Sequence, residues 1–102
     1  MTLNDSVEVL KALAHPLRLR ISLGLSKKKE CNVNTMVETL GVPQATVSNQ
    51  LTILRKAGIV SNERKGTTVC YSIEDEGIKR LLSVIETELA LNSDNNASGK
   101  EE

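Results

Sequence analysis

The sequence predicts a mainly α-helical domain with one small β-hairpin, and three observations predict it. Residues 42–58 place Val47, Leu51 and Leu54 at i, i+4, i+7, which makes one apolar face on a short helix. Residues 59–73 run from Ile59-Val60 through a Lys65-Gly66 turn signal to the alternation Val69, Tyr71, Ile73, the mark of a half-buried strand. The chain of 102 residues has no Trp and no Phe, and Tyr71 is its sole aromatic. Its core must therefore be Leu, Ile, Val, Ala and Met, which suits packed helices better than a sandwich of sheets.

Each element has its own signals. Residues 1–4 are expected to fray, with Asp5 or Ser6 capping a first helix whose stripe is Val7, Leu10, Leu13 and Ala14. His15-Pro16 interrupts it, because a residue before proline resists the helical region. Pro16 opens a second helix with Leu17, Leu19, Ile21, Leu23 and Leu25, read as the buried spine, from which Arg18 and Arg20 emerge. Lys27-Lys28-Lys29 then sets cations against the negative end of that helix. Cys31-Asn32-Val33 reads as a short extended piece that pairs with the second strand of the hairpin, Val33 pointing inward.

Thr35-Met36-Val37-Glu38 has capping-box spacing for a third, short helix. Gly41-Val42-Pro43 makes a tight turn into the fourth, at about 43–57, with Pro43 suited to its first position and Gly58 to a left-handed residue just past its end. After the hairpin, Glu74-Asp75-Glu76 starts a last helix with Ile78, Leu81, Leu82, Ile85 and Leu89 on one stripe. The expected order is helix, helix, short strand, helix, helix, two strands, helix: a single domain over residues 1–91. Residues 92–102, Asn/Ser/Gly-rich and acidic, are expected to form a disordered tail.

A helix, a Gly-containing turn and a second helix make a helix-turn-helix, and a hairpin beside it at about 59–73 makes a wing. The polar face of the fourth helix carries Gln44, Thr46, Ser48, Asn49 and Thr52 beside Ala45, with Arg55 and Lys56 at its end and no carboxylate. Such a face suits base edges and phosphates in a major groove of double-stranded DNA. Formal net charge is zero, but residues 42–69 hold Arg55, Lys56, Arg64 and Lys65 against Glu63 alone. A local field attracts phosphate whatever the total charge. The last stripe is longer than one small domain needs, so Val7, Leu10, Ile78, Leu81, Leu82, Ile85 and Leu89 are expected to form a two-fold dimer interface of first and last helices.

No stretch is apolar enough to span a bilayer, and the first residues lack a signal-peptide core, so a cytoplasmic protein without a membrane partner is expected. No Gly-rich phosphate loop or nucleophile–base pair is evident, so the chain does not read as an enzyme and needs no cofactor. His15, the single histidine, reads as a capping or packing residue.

Three blocks carry a resemblance: Leu10-Lys-Ala-Leu-Ala-His-Pro-Leu-Arg-Leu-Arg-Ile21, Gln44-Ala-Thr-Val-Ser-Asn-Gln-Leu-Thr-Ile-Leu54 and Gly66-Thr-Thr-Val-Cys-Tyr-Ser-Ile73. Together they resemble the ArsR/SmtB family of winged helix-turn-helix regulators over about residues 7–90. The resemblance implies a homodimeric transcriptional repressor on a two-fold symmetric operator. It does not imply a metal sensor. Asn32-Val33-Asn34 stands where one family site has Cys-Val-Cys, and at the other Asp75 is retained while Gly77, Glu88 and Leu91 stand at the remaining ligand places. Two alternatives stay open: a winged helix serving protein interaction without DNA, and a thiol-responsive repressor using Cys31 and Cys70. Alternation places those two cysteines on opposite sheet faces, Cys31 in parity with Val33 and Cys70 between Val69 and Tyr71, which argues against a disulfide.

Overall fold

The computed structural model describes residues 1–27 and 31–95. Five helices and one hairpin follow in the order α1 (Leu3–Leu13), α2 (Pro16–Ser26), α3 (Val33–Leu40), α4 (Gln44–Lys56), β1 (Ser61–Lys65), β2 (Thr68–Ser72) and α5 (Glu76–Asn95). Every element of the expected order is present except the short strand before α3. There the chain makes one sheet-like bond, from the Tyr71 N–H to the Cys31 carbonyl at 2.7 Å, and Val33 already belongs to the first turn of α3.

Two helices, α1 and α3, start earlier than the sequence signals suggest, because capping residues lie upstream. Thr2 caps α1: its hydroxyl accepts from the Asp5 N–H at 3.0 Å and its own N–H donates to the Asp5 carboxylate at 3.1 Å. This reciprocal bonding orders the residues expected to fray and holds the Asp5 carboxyl below its usual range. Asn32, not Thr35, caps α3, accepting from the Thr35 N–H at 2.8 Å and the Thr35 hydroxyl at 2.9 Å. His15 caps α2 through Nδ1, which accepts from the Leu17 N–H at 3.2 Å. Asp75 caps the last helix, accepting from the Ile78 N–H at 3.0 Å. Pro43 sits one place before its expected position, as the N-cap of α4 in extended backbone.

α3 ends at Gly41, whose φ of 69° lies in the left-handed region that only glycine enters without strain, and this sets the turn into α4. Gly58, with φ 79°, turns the chain out of α4 as its position implied. α5 continues to Asn95, four residues into the segment expected to be disordered; residues 96–102 lie outside the described part. Lys27 closes α2 as its C-cap, and Lys28 and Lys29 are not among the described residues.

One apolar core joins all five helices. Val9, Ala12 and Leu13 come from α1, Ile21 and Leu25 from α2, Met36 from α3, and Val47, Leu51 and Leu54 from α4. Ile59, Val60 and Ile73 bring in both ends of the hairpin, and Ile78 and Leu82 fasten α5. Ile78 and Leu82 are 2% and 0% exposed within one protomer. They have no surface left for a dimer interface, because their stretch of α5 serves the protomer's own core. Among the described residues, no helix is long and apolar enough to cross a membrane.

Candidate nucleic-acid interface

α4 presents two faces of opposite character. Val47, Leu51 and Leu54 are at most 1% exposed and seat the helix on the core. The outward face holds Gln44, Ala45, Asn49, Thr52, Arg55 and Lys56, all exposed, with Thr46 and Ser48 half-buried at its edge. The Thr52 hydroxyl donates to the Ser48 carbonyl at 3.0 Å, so it remains free to act as an acceptor. No side chain caps the first turn, so the positive end of the helix is not neutralised by the protein.

The wing is a two-stranded antiparallel hairpin in which Arg64 pairs with Val69 and Lys65 with Thr68, closing on Gly66 at φ 66°. Every residue of β1 is exposed, whereas β2 is half-buried from Val69 onward, so β2 anchors the wing and β1 faces outward. Among the described residues, Arg55, Lys56, Arg64 and Lys65 make no ion pair; the pairs present join Lys11 to Glu8, Lys27 to Glu86 and Lys79 to Glu76. Four unpaired cations thus flank a polar helix face that carries no acid.

Arg18 was expected at the surface and is instead a clamp. Its Nε donates to the Ala12 carbonyl at 2.6 Å and its Nη1 to the Gln50 Oε1 at 2.9 Å, so one half-buried guanidinium ties α1, α2 and α4 together. Arg20 is exposed as expected. Neither bond has a periodic signal in the sequence, since Arg18 and Gln50 lie on different helices. Arg18→Ala is expected to lower stability by about 1–3 kcal/mol, because it removes a charged donor from two acceptors. Urea unfolding checks this, and an unchanged midpoint would show that the clamp is replaced by water without cost.

Two of the residues at the family's metal-ligand places carry other work. Asn32 and Asp75 spend their side-chain oxygens as the helix caps already described. Among the described residues no group of three or more His, Cys, Asp or Glu is placed to hold a metal ion.

The cysteines depart from expectation. Cys31 is not in a ladder, so strand alternation does not govern its direction, and the Tyr71–Cys31 backbone bond sets it beside Cys70. Hydrogen bonding to the Cys31 side chain is the main reason that the Cys70 thiol is held above its ordinary pKa; burial adds to this, Glu63 adds slightly, and Lys65 opposes it. The parity argument against their meeting therefore fails.

Leu3, Val7 and Leu10 form an exposed stripe on α1, 80%, 40% and 56% accessible, and Val84, Leu89 and Leu91 are 61%, 47% and 51% accessible on α5. Leu81 and Ile85 are half-buried between this surface and the core. Leu3, Val84 and Leu91 are exposed apolar residues outside the stripe that the sequence pattern marks.

Comparison with known proteins agrees with this architecture. A family profile described as a helix-turn-helix domain matches residues 13–62. The transcriptional repressor PagR of Bacillus anthracis is 40% identical over 89 residues, covering 84% of this chain and 89% of that protein. Its crystal structure superimposes with a TM-score of 0.75 at 35% identity, over 81% of this chain and 94% of that one. The repressor SmtB of Mycobacterium tuberculosis is 40% identical over 80 residues, 78% of this chain, which spans 58% of its length. A homodimeric winged helix-turn-helix domain, Mb0332 of Mycobacterium bovis, described as a possible ArsR-family regulator, gives a TM-score of 0.75 at 27% identity, over 98% of this chain and 90% of that chain. The chain belongs to the ArsR/SmtB family of winged helix-turn-helix transcriptional regulators.

Proposed function

We propose that this chain is a sequence-specific transcriptional repressor that acts in the cytoplasm as a homodimer on a two-fold symmetric DNA operator, and that it is not an enzyme. The observation that carries the reading is the acid-free polar face of α4 beside the unpaired cations of the wing. The exposed amides of Gln44 and Asn49 match the donor–acceptor pair of adenine in the major groove. Thr46, Ser48 and Thr52 hydrogen-bond phosphates or base edges, Ala45 lets the backbone approach closely, and Arg55, Arg64 and Lys65 bind backbone phosphates. The exposed stripes on α1 and α5 meet their copies across the two-fold axis, which sets two α4 helices into successive major grooves, about 34 Å apart.

Fluorescence anisotropy with DNA from the promoter region upstream of this protein's own coding sequence tests the reading. Affinity is expected to fall steeply and linearly in log salt, as counterions are released. Binding without salt dependence, or none at low salt, would leave the surface to a protein partner. Within that assay Asn49→Ala is expected to cost about 1–3 kcal/mol per half-site and to relax preference at one base pair. Unaltered preference would remove Asn49 from the residues that read sequence.

A further inference from the structure

Two thiols line one cleft behind the wing, away from the polar face of α4. Cys31 lies just before the Asn32 cap of α3, and Cys70 lies in the middle of β2. The 2.7 Å bond from the Tyr71 N–H to the Cys31 carbonyl fastens the two segments in register. Both cysteines are half-buried and free, and both line one open cleft of about 390 Å³ whose walls include Glu63, Lys65 and Lys79. A small hydroperoxide can therefore reach both sulfurs from one side.

We propose that Cys31 and Cys70 form a hydroperoxide-responsive pair that closes to an intramolecular disulfide and shifts the wing relative to the helix-turn-helix. The covalent step stands by itself; its consequence for affinity rests on the DNA-binding reading above. Cys31, as thiolate, attacks one peroxide oxygen and breaks the O–O bond, becoming a sulfenic acid while the other oxygen leaves, with a proton, as water or an alcohol. The Cys70 sulfur then attacks the sulfenic sulfur, the S–S bond forms, and the hydroxyl departs with the Cys70 proton as water. Two thiols lose two electrons and the peroxide gains them. Hydrogen bonding to Cys31, with burial, holds the Cys70 thiol above its ordinary pKa, so the first attack is assigned to Cys31, and Cys70 gives up its proton as it closes the S–S bond.

The bond would join the α3 cap to β2 and close a loop containing α3, α4 and β1, the whole reading machinery. It draws the sulfurs to about 2.05 Å. Cys70 lies about 13 Å from the tip at Gly66, at about 3.3 Å per residue, so a small pull at β2 becomes a larger displacement of Arg64 and Lys65.

The test treats the reduced full-length protein with hydrogen peroxide and reads intact mass and non-reducing peptide maps. The expected result is a loss of about 2 Da and a linked Cys31–Cys70 peptide, reversed by dithiothreitol and absent from Cys31→Ser and Cys70→Ser. Alanine variants serve equally should serine disturb folding. Oxygen addition alone, disulfides only between chains, or two intact thiols would overturn the pair. Anisotropy on the promoter fragment then reads the consequence: oxidation is expected to weaken wild-type binding about tenfold and to leave both variants unchanged. Equal affinity of the two forms would overturn the wing shift. Absence of DNA binding in the reduced protein would count against the proposed function instead, while the mass change still decides the thiol chemistry.

Discussion

Replacing Arg64 and Lys65 together by alanine is expected to weaken binding to every DNA sequence and to flatten the salt dependence. Both side chains stand exposed at the wing tip, and among the described residues neither meets a carboxylate, so no ion pair there ties them to the fold. Each lost phosphate contact removes about 0.9 from the slope of log affinity against log salt, and a dimer that loses all of them should fall by about three to four. Base preference should be unchanged, because cations on the backbone carry no sequence information. Anisotropy titrations across a salt series give slope and intercept together. An unaltered slope would mean that the wing stays clear of the backbone, and Arg55 and Lys56 would then be the cations to replace.

Replacing Leu82 by aspartate is expected to unfold the protein outright. The side chain is 0% exposed and sits where α5 meets the common core. A carboxylate there loses the apolar burial of leucine, and Lys27 and Lys79, which line a cleft with Leu82, already pair with Glu86 and Glu76. The combined cost, about 3–5 kcal/mol or more, is a large share of the roughly 5–15 kcal/mol that holds a small domain together. Leu89→Asp is the contrasting variant: at 47% exposed it should leave the helical circular dichroism intact while shifting the sedimenting species to monomer. A folded Leu82→Asp would mean that α5 can detach from the core, and a dimeric Leu89→Asp would move the interface toward α1.

Much of this was legible because it depends on local periodicity. The 3.6-residue spacing of Val47, Leu51 and Leu54 marked the inner face of α4, and with it the outer face, before any tertiary contact was considered. Proline and glycine punctuation located the breaks at Pro16 and Gly41 and the wing turn at Gly66. The failures concern competition and distance. Thr2 and Asn32 won helix starts from Asp5 and Thr35 because several residues had capping chemistry and only three-dimensional geometry chose among them. One stripe on α5 served two partners, so Ile78 and Leu82 turned to the core while Leu89 stayed outside. The Arg18–Gln50 bond and the meeting of Cys31 with Cys70 join residues far apart in sequence, where periodicity carries no information.

Tyr71 gives the protein an optical property. It is the sole aromatic residue of the chain, and no Trp is present to drain its excitation. All near-ultraviolet emission from a protomer therefore originates at one ring, on the anchored strand of the wing and next in sequence to Cys70. Most proteins need an introduced dye before a single hinge can be watched. Here an unlabelled sample reports the packing of its own wing, and a change in emission lifetime on adding duplex or oxidant would mark the moment that strand moves.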